Sequence, residues 1–259
     1  MDPLKIALDI AKAINVAKLS ELFKGRELFM DRVEPPMVIR LDGVSFSRVC
    51  RDLGFPRSEA VHKALVEAGR RLARFFNADM VYTVSDEINV FLLRGEPLYG
   101  GRASKLLSIS AAIASSSASL ALGREALFDS RVVKLCSASE AIDYLLYRVR
   151  VGVGNYLSTL YTKVLRLGRQ TPSFEEMARE VSRDPRAREL LTPLWKAFGT
   201  CMWFEEVERK GVDKLRGVEV VVRRRVLASS SDPRACLERL RFLARSSPSE
   251  DTSTQRQPL

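Results

Sequence analysis

Histidine is nearly absent from this chain. Among 259 residues there is one, His62, and the four cysteines (50, 136, 201 and 236) are far apart with no C-x-x-C pair. No Ser-His or Cys-His nucleophilic arrangement and no zinc site are expected. A disulfide is left open by this spacing but not implied by it. Amides are scarce as well, with four Asn and three Gln beside 29% charged residues, a balance that fits a thermophilic source. No run approaches the roughly 18 uninterrupted apolar residues of a membrane span. The N-terminal DPLKIALDIAKAINVAKL carries Asp and Lys throughout, so it reads as an amphipathic helix rather than a signal peptide. The cytosol is the default location, with no membrane association expected.

Positive charge is in excess. Lys and Arg total 42 against 32 Asp and Glu, a net charge of +10. Such an excess favours polyanionic partners, nucleic acid above all. Arg-rich proteomes also produce basic proteins with no such partner, so charge alone is weak support.

Pro35-Pro36 precedes MVIRLDG (37 to 43), which reads as a buried strand ending at a glycine. A helix follows from about 57 to 77, with Val61, Leu65, Ala68, Leu72 and Phe75 at helical spacing. Residues 80 to 93 read as a hairpin folded at Ser85-Asp86-Glu87. An Ala- and Ser-rich helix opened by glycines (100 to 122), a strand (127 to 136) and a helix from about 139 to 167 capped by Ser137 complete this part. The order β-α-β-β-α-β is the split βαβ arrangement, so the fold class is α+β and ferredoxin-like. Further on, helices are expected at 174 to 181 and 185 to 197, a strand-like segment at 217 to 228 and a last helix near 233 to 245. The polar tail from 246 to 259 is expected to be disordered. The division that follows is an N-terminal helix (1–20), a catalytic domain (21–167), a mainly helical C-terminal region (168–245) and the tail.

The chemistry centres on acids. Asp42 ends the first strand and Asp86-Glu87 sit at the hairpin tip, and the first strand and the hairpin's first strand can lie side by side. Clustered carboxylates repel unless cations meet them. Two of them bridging two Mg²⁺ ions, with a carbonyl such as that of Gly43, is the arrangement used for phosphoryl displacement. Ion pairing with Arg40, Arg102 or Arg131 is the plainer alternative. GVSF (43 to 46) offers successive N–H groups to phosphates. Arg102 and Lys105 at a helix start form a triphosphate clamp or an ordinary solvated helix end.

The segments RLDGVSF, GFPRSE, VSDEINVF, GGRASKLLS, FDSRV and DYLLYR, with a following Asn155, occur in one order and spacing. They resemble the tRNA-His guanylyltransferase family, in particular its archaeal guanylyltransferase-like branch. The resemblance runs from about Leu22 to Tyr161. It implies a palm-like catalytic core adding nucleotides in the 3′-to-5′ direction. It further implies that Asp42 and Asp86 bind two Mg²⁺ ions with the Gly43 carbonyl, supported by Glu87. Gly43, Val44, Ser45, Phe46, Arg57, Ser85, Arg102, Ser104 and Lys105 then hold nucleotide triphosphates, and Asn155 stands in the family's H-I-N motif. Here that motif's histidine is Val153, an acid shortly before it is Val151, and the usual Lys-Pro pair is Arg57-Ser58.

The reading is a Mg²⁺-dependent nucleotidyltransferase on tRNA 5′ ends, with ATP and GTP as substrates, performing templated 5′-end repair or G addition to tRNA-His. A homotetramer is implied by the resemblance. Candidate tRNA contacts are Arg148, Arg150, Lys163 and the run Arg223-Arg224-Arg225, with edge-strand protection the alternative for that run. A palm-fold nucleotide cyclase and a non-catalytic tRNA-binding relative are the competing readings.

Overall fold

The computed structural model describes residues 2–28, 32–168, 172–212 and 215–245. Two helices open the chain, α1 (Pro3–Ala13) and α2 (Val16–Gly25). The single expected N-terminal helix is therefore interrupted. Asn15 accepts the Lys18 N–H at 3.0 Å and starts α2 afresh. The main unit then runs β1 (Glu27–Leu28), β2 (Met37–Gly43), α3 (Phe46–Val49), α4 (Glu59–Phe76), β3 (Met80–Val84), β4 (Glu87–Leu92), α5 (Ala103–Leu122), β5 (Phe128–Lys134) and α6 (Glu140–Thr159). A wide helical turn, Leu160–Val164, extends α6. Three shorter helices follow: α7 (Phe174–Arg183), α8 (Pro185–Glu189) and α9 (Trp195–Phe198). Strands β6 (Thr200–Val212) and β7 (Glu219–Ser230) and helix α10 (Pro233–Arg245) end the described chain, and the tail expected to be disordered lies outside it.

The seven strands form one antiparallel sheet in the order β1-β5-β2-β4-β3-β6-β7. Its centre, β5-β2-β4-β3, is the ferredoxin-like order. Helices α4 and α5 cover one face. Helix α6 covers the other, flanked by α1, α7 and α10. Burial on both faces explains why β3 and β4 are buried at every position. On α5 the serines do more than pack closely: Ser115 Oγ accepts the Phe128 N–H at 3.0 Å, and Ser110 and Ser130 hydroxyls lie 2.8 Å apart. By length and composition α5 is apolar enough to cross a membrane, yet Leu106, Ala114 and Ala118 are buried with the α4-side core.

Several expectations are corrected. The strand beside β2 is the hairpin's second, β4, because the α4 crossover leaves one strand position between β2 and β3 for the returning chain. Phe76, not Phe75, faces the core, and Phe75 is exposed. The expected helix 185 to 197 is broken after α8, before Pro193, a residue that disfavours helix at the position preceding it. Beyond Gly168 the sheet gains two long strands, one of them, β6, not foreseen.

Gly152 shows why a glycine stands mid-helix in α6. A Cβ there would lie 2.5 Å from Val84 Cγ2, so its absence lets the helix settle onto β3. Gly152 and Gly154 thus do not break α6, which continues through both.

Candidate active site

The acids gather at one end of the sheet. Asp42 is directly opposite Glu87 on β4 and Asp129 on β5. Directly opposed residues point to the same face, so three carboxylates form a row across three strands. The next row is Arg131, Arg40 and Asn89. Ser85 and Asp86 form the two-residue turn between β3 and β4, with Ser85 at φ +58°. The Asp86 carbonyl accepts the Gly43 N–H at 3.0 Å and ties the turn to the end of β2.

The acids divide by how they are neutralised. Glu87 is buried: Arg148 Nε donates to its Oε1 at 2.8 Å, Arg148 Nη2 meets Oε2, Arg40 Nε reaches Oε2 at 3.2 Å, and Asn89 Nδ2 donates to Oε1 at 2.7 Å. Tyr144 Oη donates to Asn89 Oδ1 at 2.8 Å and fixes the amide. Asp129 is chelated by Arg131, Nη2 reaching both oxygens at 3.1 Å. Among the described residues Asp42 has only a longer contact to Arg40, 3.6 Å, and its side chain is 37% exposed.

Burial, and then Glu87 and Asp86, hold the Asp42 carboxyl above the ordinary carboxylate range. Burial is also the main cause raising Asp86, with Glu87 adding to it and Ser85 opposing it. Of the four acids at this end of the sheet, Asp42 and Asp86 are therefore the two whose charge is least well compensated. Their oxygens are hard donors with no nitrogen or sulfur among them, which suits Mg²⁺. Among the described residues no group of three or more His, Cys, Asp and Glu side chains is placed to hold a metal ion, so a cation held here would have to draw on these two carboxylates and on main-chain or substrate oxygens.

Two pockets open on either side of the Ser85-Asp86 turn. One, of about 210 Å³, lies toward α6 and is lined by Arg40, Asp42, Glu87, Arg148, Val151 and Asn155, among others. The other, of about 230 Å³, lies toward α3, α4 and α9 and includes Phe46, Arg57, His62 and Trp195. Val153, where the resembled family has histidine, is buried in the core, and Val151 faces the acid pocket.

Not every sequence candidate comes to this place. The amides of Gly43 and Val44 already donate to the carbonyls of Asp86 and Leu127, so they are not the phosphate cradle expected of them. A Cβ at Gly43 would sit 2.5 Å from the Phe46 ring, which explains the glycine. Ser45 is exposed at φ +52°. Arg57 is spent on the protein itself, donating to the Lys196 and Gly152 carbonyls and lying 4.9 Å from the Tyr156 ring centre. Arg102, Ser104 and Lys105 stand at the opposite end of the sheet, where Gly101 accepts the Val33 N–H ahead of β2. At about 3.3 Å per residue along β2, that is roughly 20 Å from Asp42, because β4 runs away from the turn before α5 begins.

The basic candidates also separate. Arg148 is 7% exposed and bound to Glu87, so its guanidinium is not offered to an RNA phosphate. Arg150 lies over the Phe174 ring at 3.4 Å, half-buried. Lys163 is exposed. Strand β7 is a sheet edge, as the edge-strand alternative expects, and its three arginines alternate faces. Arg223 meets Glu208 at 3.0 Å, and Arg225 lies over Phe204 at 3.9 Å and bonds Asn77. Arg224 points to the other face, opposite Val207.

Sequence reasoning missed Asp129, Asn89 and Tyr144, and it missed Trp195. Asp129 on β5 and Asn89 on β4 carry a detectable signal, since polar residues at alternating strand positions require partners, whereas Tyr144 lies on helix α6. Trp195 carries none.

Comparison with known proteins follows the same outline. Residues 21–136 match the family model described as tRNA-His guanylyltransferase. Two structures of a bacterial tRNA-His guanylyltransferase-like protein, one in complex with ATP and one with GTP, are similar with TM-scores of 0.61 and 0.62 at 18% and 17% identity. Each covers 86% of this chain and 97% of its own. The tRNA-His guanylyltransferase of Saccharomyces cerevisiae is similar with a TM-score of 0.51 at 16% identity, covering 77% of this chain and 94% of that one. No curated protein matches by sequence.

Proposed function

We propose, from the premise that residues 21–136 are a segment of the tRNA-His guanylyltransferase family, that this chain is a Mg²⁺-dependent nucleotidyltransferase extending tRNA 5′ ends in the 3′-to-5′ direction. Templated repair of a truncated 5′ end is the activity we favour, over addition of a single G to tRNA-His. The observation that carries this reading is the pairing of Asp42 and Asp86, both raised above the ordinary carboxylate range, at the end of the sheet beside two pockets.

Asp42 and Asp86, with the Gly43 carbonyl, are the oxygens that would hold Mg²⁺. When bound, Mg²⁺ supplies charge neutralisation for phosphoryl transfer and lowers the pKa of an attacking hydroxyl. Glu87 takes a different part. Held by Arg148 and Asn89, it anchors Arg40 3.6 Å from Asp42. Asp86 lines both pockets, and on this reading a nucleotide in one and an RNA end in the other would meet at its carboxylate. Positioning of that kind provides much of the rate in phosphoryl transfer. No nucleophilic side chain is needed, in keeping with a single histidine committed to Thr200 and Trp195.

The test is a tRNA bearing a 5′-triphosphate and lacking its first nucleotide, incubated with labelled nucleoside triphosphates and Mg²⁺ beside Asp86→Ala. Extension by the nucleotide complementary to position 72, lost in the variant, is expected. Addition of G regardless of position 72 returns the narrower tRNA-His activity, and no extension of any tRNA overturns the proposal.

A further inference from the structure

Trp195 lies outside residues 21–136 and is not among the residues lining the acid pocket toward α6. Its indole is parallel to the His62 imidazole, ring centres 4.3 Å apart and planes 9° apart, and both rings line the pocket of about 230 Å³ beside Asp86. The arrangement is held from several sides. His62 Nε2 lies 3.2 Å from Thr200 Oγ1, which lies 2.7 Å from Ser231 Oγ. Arg57 binds the Lys196 carbonyl, next to Trp195 on α9, and the Gly152 carbonyl on α6. Burial lowers the His62 pKa to about 4, so near neutral pH the imidazole stacks uncharged.

The polar side chains lining this pocket are largely spent. Arg57 serves two carbonyls, Ser58 Oγ caps the Val61 N–H, and His62 serves Thr200. Ser85 bonds the Asp86 carboxylate; Ser47 and the rest of that carboxylate are what remains, and no Asn or Gln is among the lining residues. The pocket therefore offers aromatic surface without the paired donors and acceptors that distinguish one base edge from another. Its volume, below the about 300–1,000 Å³ usual for ligand sites, suits a base and sugar with the phosphates leaving toward Asp86.

We infer that Trp195 is the stacking wall for the nucleobase of the nucleoside triphosphate substrate and that it accepts every base alike. This rests on the nucleotidyltransferase reading and adds to it: this wall supplies affinity, and the choice of base comes from elsewhere, as a template strand provides. Stacking on an aromatic side chain is tolerant of sequence because every base has a π-face.

The chain has two tryptophans, and Trp203 is in the core at 8% exposure, so Trp203→Phe leaves Trp195 as the sole indole emitter. That protein is titrated with ATP, GTP, CTP and UTP in Mg²⁺. Equilibrium dialysis with labelled nucleotides is run alongside on Trp195→Ala and Trp195→Phe, each checked for fold by circular dichroism. Quenching by all four nucleotides with similar dissociation constants is expected. Trp195→Ala is expected to bind on the order of tenfold more weakly, with Trp195→Phe close to the parent. Nucleotide bound with unchanged Trp195 emission, undiminished binding by Trp195→Ala, or one base bound far more tightly than the others each overturns the inference while leaving the enzyme reading intact. No nucleotide bound by the parent overturns both.

Discussion

Arg148 grips Glu87 from inside the protein, Nε on Oε1 at 2.8 Å and Nη2 on Oε2, with the two side chains 8% and 6% exposed. Neither charge is free for a substrate. Removing one member of a buried pair strands the other, at a cost of about 3–5 kcal/mol. Arg148→Met is expected to lose stability of that order in urea denaturation near pH 7. Glu87→Gln combined with Arg148→Met is expected to recover part of it. A single-variant loss below about 1 kcal/mol would place the pair in the class of weak surface ion pairs and contradict its structural role.

Asp42 and Asp86 have the opposite signature. Their folded pKa values lie above the ordinary carboxylate value, by burial first and neighbouring carboxylates next. The native state then holds protons more tightly than the unfolded chain. The stability this confers is fully present below the unfolded pKa, near 4, and is lost as pH rises through the folded values. At pH 7 without divalent cations, Asp42→Asn and Asp86→Asn are each expected to raise Tm while abolishing nucleotide addition, the gain shrinking toward pH 4. Mg²⁺ is expected to raise the parent's Tm more than that of either variant. Thermal melts across pH, with and without Mg²⁺, decide this, and a lower Tm for both variants at pH 7 would refute it.

Gly152→Ala puts a methyl 2.5 Å from Val84 Cγ2 in the core. Overpacking of this kind costs about 1–3 kcal/mol, against a gain of up to about 1 kcal/mol in helix propensity. Net destabilisation is expected, together with a raised nucleotide KM because Gly152 lines the acid pocket and accepts from Arg57. Val84→Ala in the same chain is expected to restore stability. A Gly152→Ala protein as stable as the parent would show that α6 moves away from β3 freely.

The arginines of β7 separate by face. Arg223 is paired with Glu208, whereas Arg224 has no partner among the described residues. If this strand meets RNA, Arg224→Ala is expected to weaken tRNA binding and reduce the slope of log affinity against log salt by about one, and Arg223→Ala to do less. Filter binding over a salt series measures both, and equal effects would remove the distinction.

What the sequence revealed follows from what controls each feature. The β-α-β-β-α-β order and the acid turn rest on local pattern: continuous apolar strands, one amphipathic helix, and a break at Ser85-Asp86. Strand β6 escaped because Glu205, Glu206, Glu208, Arg209 and Lys210 mask its alternation once it leaves the core at Trp203. Arg148 looks like a surface cation in the sequence, and only the seating of α6 on the sheet turns it inward. Arg102 and Lys105 are close in sequence to the acid hairpin but far in space, since a strand of six residues, β4, carries the chain to the other end of the sheet first.

Cys201 on β6 and Cys236 on α10 are joined by a disulfide spanning 35 positions, and that interval contains the whole exposed part of the β6–β7 hairpin. A protease that cuts the hairpin once therefore does not divide the molecule. The two pieces stay covalently linked, with the α10 piece still fastened at the base of the sheet, and they separate only after reduction.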